Sequence, residues 1–189
     1  MDLKSLIRDV PDYPSAGILF RDLTPLMANA DAMRHVTETL STHLSEKGTE
    51  AIAAIDARGF IFGAPVASQL GVPFVPLRKS GKLPPPVVGV DYALEYGTAR
   101  LEVAESALSG HQRVAIIDDL LATGGTAGAG AELILSLGGE VITFAFLVEL
   151  GFLNGRQRLP DGIDVFSMVQ YSFWHLSTAP LSHSICGRP

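Results

Sequence analysis

The chain has 189 residues, 47% apolar and 18% charged, with a formal net charge of −6 at pH 7, which suits one domain with a sizeable core. An acidic chain of pI near 5.3 is not built for nucleic acid, whose footprint is a basic face or stripe. The single Cys186 excludes an intramolecular disulfide framework and a cysteine-rich metal site. No window approaches the roughly 20 apolar residues of a membrane helix. MDLKSLIRDV carries acids where a signal peptide has an apolar core, so a cytoplasmic protein is expected.

Leu3, Leu6, Ile7 and Val10 stand at helical spacing and predict a short helix ended by Pro11. Pro14 and Gly17 keep the next stretch irregular, and Ile18, Leu19 and Phe20 predict an arm packed against the body. Met33, Val36, Leu40 and Leu44 share one face of a helix predicted from Asp31 to Lys47, with Gly48 closing it. Ala51 to Ile55 reads as the first core strand, followed by the turn Asp56, Ala57, Arg58 and Gly59 and a helix from Phe60 to Leu70. A cation at a helix N-terminus opposes the macrodipole, so Arg58 is better explained by an anionic ligand than by helix stability; plain solvent exposure is the alternative.

Val72 to Leu77 predicts a second strand, leading into Arg78, Lys79, Ser80, Gly81 and Lys82. Such a cluster is either a solvated turn or, placed after a strand like the turn before it, part of a shared anion site. Leu83 to Gly97 carries Pro84, Pro85, Pro86 and Gly89, a long connection of the kind that forms a lid over an active site. Glu95 and Tyr96 stand out on it as an acid and an aromatic, against the ordinary roles of a surface carboxylate and a packing ring. Arg100 to Val103 predicts a return strand, and Ser109 with Gly110 a turn.

Arg113 to Thr126, RVAIIDDLLATGGT, is the most informative stretch. Val114 to Ile117 predicts a strand buried on both faces, ending in the adjacent carboxylates Asp118 and Asp119. Ala122, Thr123, Gly124, Gly125 and Thr126 then precede a helix running to Leu137. Glycines permit close backbone approach, threonines supply hydroxyls, and the amides of a helix N-terminus favour a phosphate. The alternative is a threonine-capped turn. The loop is not a Walker A motif, because it lacks the lysine that GxxxxGK[ST] requires. Glu140 to Leu150 and Val165 to Val169 predict two further strands, and Trp174, His175 and His183 lie in a tail without a readable pattern. The alternation predicts an α/β fold with a mostly parallel twisted sheet flanked by helices. Ligands of such sheets bind at the C-terminal ends of the strands.

The acidic pair followed by ATGGT resembles the phosphoribosyl-diphosphate (PRPP) signature of the type I phosphoribosyltransferase family. PDYPSAGILFRDLTPL, AIDARGFIFGAPVA, VPLRKSGKLP and LEYGTARLE extend the resemblance from about Leu6 to Tyr171, and the first and last of these are similar to its adenine-specific members. The resemblance implies one domain over 1–189, with an N-terminal arm or hood over 1–30 and a flexible lid loop over 79–99. It implies that the chain makes AMP and pyrophosphate from adenine and PRPP with Mg²⁺, the metal being held mainly by PRPP and water. Asp118 and Asp119 would hold the ribose hydroxyls, Ala122 to Thr126 the 5′-phosphate, and Ala57, Arg58, Arg78, Lys79 and Lys82 the pyrophosphate. The family's Asp-Ala turn, here Asp56–Ala57, often contains a non-proline cis peptide. Adenine would lie against Phe20 and be read by the backbone of Leu19 and Arg21, with Glu95 acting near the purine N7 and Tyr96 beside it on the lid. No nucleic-acid or membrane partner is implied, and a homodimer is. Two rival readings are a transferase for 6-oxopurines and a PRPP-sensing regulator without catalysis.

Overall fold

Small and β-branched apolar runs make the centre of the molecule, whose computed structural model describes residues 1–93 and 97–172. The first 11 residues depart from the expected helix. A 3₁₀ turn at Lys4–Leu6 is followed by strand β1, Arg8–Pro11, which pairs antiparallel with β2, Leu19–Asp22. So short a segment, cut off by Pro11, cannot repay helix nucleation, whereas the hairpin bonds its backbone across β2. Leu3 and Ile7 still reach the core. The expected irregular arm is therefore partly ordered as β2 and a single helical turn, α1, Thr24–Met27.

Helix α2, Ala30–Glu46, begins where the Asn29 side chain accepts hydrogen bonds from the amides of Asp31 and Ala32, and buries Val36, Leu40 and Leu44. Gly48 follows in the left-handed region at φ +69°. Strand β3, Ala51–Ile55, is buried throughout. After it come α3, Arg58–Leu70; β4, Phe74–Lys79; β5, Val87–Ala93; β6, Thr98–Ala104; β7, Arg113–Leu121; α4, Gly125–Ser136; β8, Glu140–Leu150; and β9, Asp164–Tyr171.

Among the described residues the main sheet has the order β5-β6-β4-β3-β7-β8-β9. Strands β4, β3, β7, β8 and β9 are parallel, while the β5-β6 hairpin runs antiparallel along the β4 edge. The mostly parallel sheet is thus as expected. Alternation along its strands feeds two cores. Ile52, Ala54, Ala115 and Ile117 pack on the side of α2 and α3, and Ala53, Ile55, Val114 and Ile116 on the side of α4. From β3 the chain crosses to β4 on one side and later returns to β7 on the other, so the strand order reverses between β3 and β7. A crevice opens at their C-terminal ends for that topological reason.

Several boundaries differ from the sequence-based expectation. Arg78 and Lys79 are the last residues of β4, not part of the turn, because β6 supplies partners for them in Glu102 and Leu101. Asp118 and Asp119 lie within β7, which β8 keeps extended as far as Leu121. Much of the span expected as a lid loop is the regular hairpin β5-β6, in which each residue of Val87–Ala93 has a partner. Glu95, Tyr96, Trp174, His175, His183 and Cys186 lie outside the described residues. No helix among the described residues is long and apolar enough to cross a membrane.

Candidate active site

The crevice is built on two neighbouring strand ends. β3 delivers Asp56 and the Asp56–Ala57 peptide, which is cis as the resemblance implied, and α3 then starts at Arg58. β7 delivers Asp118 and Asp119. The helix start fits this closely against β7 only because residue 59 is glycine, where a Cβ would stand 2.9 Å from both the Ile117 carbonyl oxygen and Asp118 Oδ1. The result is a cleft of about 520 Å³ lined by Asp56, Ala57, Arg58, Lys79, Tyr92, Asp118, Asp119 and Thr126, among others. Beside it, Asp118 and the loop from Leu120 to Ala127 enclose a smaller cavity of about 70 Å³.

That loop has the features of an anion cradle. Gly124 is the N-cap of α4 at φ +83°, and no side chain caps the helix. The first amides of α4 therefore lack an intrahelical partner and are free for an anionic ligand. Gly124 has a second reason to be glycine, because a Cβ there would overlap the carbonyl oxygen of Gly155.

The two acids are unequal. The Asp119 side chain is 6% exposed, with Oδ2 2.8 Å from Arg58 Nε, an ion pair without hydrogen-bond alignment. Burial raises its pKa against the opposing pull of Arg58. Asp118 accepts a 2.9 Å hydrogen bond from the Asp119 amide on Oδ1. Burial at the cleft floor, and then the charge of Asp119, push its pKa well above the usual carboxylate value. One guanidinium faces two desolvated carboxylates, so hydroxyl donors or further positive charge placed in the cleft favour their ionised forms.

The basic residues divide. Arg58 and Lys79 line the cleft, as does Ala57, whereas Arg78 is a strut. Its Nε donates to Asp56 Oδ2 at 3.2 Å and its Nη1 to the Lys82 carbonyl at 3.3 Å, over the face of Phe60. Lys82 is exposed on the turn rather than in the cleft. The turn is held from below by the buried Glu102, which accepts from Ser80 Oγ at 2.7 Å and from the Gly81 amide at 2.9 Å. Those two bonds, Ser80 foremost, keep its pKa low. Glu102→Ala, which removes the turn's support, is expected to weaken binding of an anionic ligand in the cleft beside Lys79 on the order of tenfold, as calorimetry would read.

On the arm, Phe20 is half-buried, edge-on to Tyr13 at 5.2 Å and 5.9 Å from the Arg58 guanidinium, so the hairpin leans over the cleft. The Arg21 side chain does not line the cleft. It pairs with Asp9 and lies 3.8 Å over the Tyr171 ring, tying the hairpin to β9. Asp22 locks the other end, accepting from Arg8 at 2.6 Å and from the Thr24 amide at 2.9 Å. Hydrogen bonds from Thr24, and then the Arg8 pair, lower its pKa to about 2. Sequence inspection singled out neither Tyr92 nor Glu102. The period-two run Val88, Val90 and Tyr92, all packed on the α4 side, was the available signal for Tyr92.

A sheet with its crevice at a strand-order reversal, an acidic pair and an uncapped anion cradle suit a phosphorylated ligand, and the chain matches the phosphoribosyl transferase domain over residues 22–182. An adenine phosphoribosyltransferase from Synechococcus sp. is 54% identical over 169 residues, covering 89% of this chain and 96% of that protein. The crystal structure of the adenine phosphoribosyltransferase from Thermoanaerobacter pseudethanolicus superposes with a TM-score of 0.86 at 49% identity, covering 90% of this chain and 98% of the other. The Saccharomyces cerevisiae enzyme, solved with an imino-altritol bisphosphate and adenine, gives 0.84 at 37% identity over 88% of this chain and 96% of its own. This chain belongs to the adenine phosphoribosyltransferase family.

Proposed function

We propose that the cleft transfers the 5-phosphoribosyl group of PRPP to adenine, giving AMP and pyrophosphate. The observation that supports this best is the joining of the Leu120–Ala127 cradle to the acid pair on one strand end, with the Phe20 ring 5.9 Å from the Arg58 guanidinium of the same cleft. In the reaction the bond from ribose C1 to the pyrophosphate oxygen breaks, a bond from C1 to the purine N9 forms, and the N9 proton is released. Amides and hydroxyls of Ala122, Thr123, Gly124, Gly125 and Thr126 bind the 5′-phosphate. Asp118 and Asp119 accept hydrogen bonds from the ribose hydroxyls, and their negative charge stabilises the positive charge that develops at C1. Ala57, Arg58 and Lys79 face the leaving pyrophosphate, while Lys82, exposed on the turn, would have to swing inward to join them. Adenine stacks on Phe20 and is read by the backbone of Leu19 and Arg21.

Among the described residues no three His, Cys, Asp or Glu side chains converge as a metal site. The desolvated Asp118–Asp119 pair, only partly offset by Arg58, nonetheless fits a hard cation that takes most of its oxygens from PRPP and water. Mg²⁺ bound there would neutralise the diphosphate as it leaves. By family resemblance the chain forms a homodimer, which sedimentation of the purified protein tests.

Pyrophosphate release with PRPP, Mg²⁺ and a purine panel is the direct test. Adenine is the expected substrate. Turnover of hypoxanthine or guanine instead would reassign the base, and PRPP binding without any turnover would point to a regulator. Glu95 is the family's candidate for proton transfer near N7. Glu95→Gln is expected to lower single-turnover kcat roughly 10²-fold, leaving PRPP affinity nearly intact.

A further inference from the structure

Between β8 and β9 the chain turns back over the phosphate cradle in two 3₁₀ turns, Gly151–Leu153 and Gly155–Arg158, joined by Asn154 in the left-handed region. The second turn is the cradle's back wall. The backbone of Gly155 lies so close to the Ala122 carbonyl that a Cβ would overlap it, and the Gly155 carbonyl oxygen fills the place of a side chain on Gly124. The Arg158 carbonyl stands 3.1 Å from where a Cβ of Gly128 would be. Loop, wall and helix thus meet backbone to backbone, and any shift of the wall passes directly to Ala122 and Gly124.

One side-chain pair anchors the wall. Arg156 Nε donates to Glu149 Oε1 at 2.7 Å and Nη2 to Oε2 at 2.7 Å, a two-pronged bond to a carboxylate that is 9% exposed. Glu149 stands in β8 directly opposite Leu121 of β7, the residue before Ala122. The pair therefore ties the back wall to the strand ladder at the root of the loop. Neither residue lines the cleft or the cradle cavity.

We propose that Glu149 and Arg156 are positioning residues for the 5′-phosphate, setting PRPP affinity by holding Gly155 against Ala122 and Gly124 without touching the substrate. This rests on the assignment of the cradle to PRPP. Arg156→Lys keeps the charge but loses the planar fork. It is expected to raise the Kd and KM for PRPP several-fold, with kcat and the adenine KM within about twofold of wild type. The double variant Glu149→Gln with Arg156→Met leaves no carboxylate buried without a partner. It is expected to raise the PRPP values roughly tenfold, as a small misplacement of binding groups does, while its melt stays cooperative.

Calorimetry with PRPP and Mg²⁺, initial rates and thermal melts on the full chain read the outcome. Wild-type PRPP affinity in a folded double variant overturns the proposal, as does a parallel loss in Arg156→Lys in which kcat and melting temperature fall while the KM values for PRPP and adenine rise together. If the double variant does not fold, Arg156→Lys decides alone. A wild-type protein that binds PRPP but turns over no purine would overturn the catalytic assignment while leaving the clamp to be judged by calorimetry. A wild-type protein that does not bind PRPP would overturn both.

Discussion

Asp118→Asn is expected to stabilise the ligand-free protein at pH 7 while cutting kcat/KM for PRPP by about 10²–10³-fold, the scale of losing a group aimed at developing charge. Burial and the neighbouring Asp119 raise the Asp118 pKa above its ordinary value of 3.8. The native state therefore holds this proton more tightly than the unfolded chain does. The associated stability is complete below pH 3.8 and is lost as pH rises through the raised native value. At pH 7, well above 3.8, folding must either bury the charge or take up a proton, a cost that an uncharged amide does not carry, and Asn can still accept the 2.9 Å bond from the Asp119 amide. Thermal melts of wild type and variant should thus differ most at neutral pH and converge on acidification, while calorimetry records the lost PRPP affinity. A variant less stable than wild type at pH 7 would contradict the burial of a costly charge.

Gly124→Ala is expected to damage the cradle by two separate mechanisms. Alanine at φ +83° costs about 1–2 kcal/mol through its Cβ and backbone carbonyl. The new Cβ also overlaps the Gly155 carbonyl oxygen, backbone that can yield only by moving the wall, and overpacking of that kind costs about 1–3 kcal/mol. Displacing the amides at the start of α4 by an ångström lowers kcat/KM for PRPP roughly 10²-fold. The checks are a denaturant melt and kinetics at varied PRPP, with adenine KM as the internal control. Gly125→Ala is the useful contrast. Its nearest contact would be the Ala93 carbonyl at 3.3 Å and its φ is not left-handed, so a smaller loss is expected.

Local signals were legible wherever chemistry and structure occupy neighbouring positions in the chain. Val114 to Ile117, Asp118, Asp119 and the ATGGT loop are contiguous, so apolar strand, acid pair and anion cradle announce themselves together. The helix over α2 was equally clear, its face being marked by Val36, Leu40 and Leu44 and its end by Gly48. The N-terminal hairpin was not. Leu3, Leu6, Ile7 and Val10 have helical spacing, but of these only Leu3 and Ile7 are buried, and pairing with a strand eleven positions further on decided the conformation.

The same division holds for the site. By itself the sequence determined that an acidic, single-cysteine α/β chain carries a glycine- and threonine-rich loop of the anion-cradle type just after two carboxylates, because periodicity, glycines and adjacent acids act over a few residues. Only the tertiary structure decided which cations face the cleft. Arg58 and Lys79 do, and Arg78 instead braces Asp56 and the Lys82 carbonyl. It alone placed Glu102 beneath the Ser80–Gly81 turn, 22 positions away, and Gly155 behind Gly124. Such contacts depend on strand order and register, which bring distant segments within a hydrogen bond of one another and leave no mark on the spacing of residues along the chain.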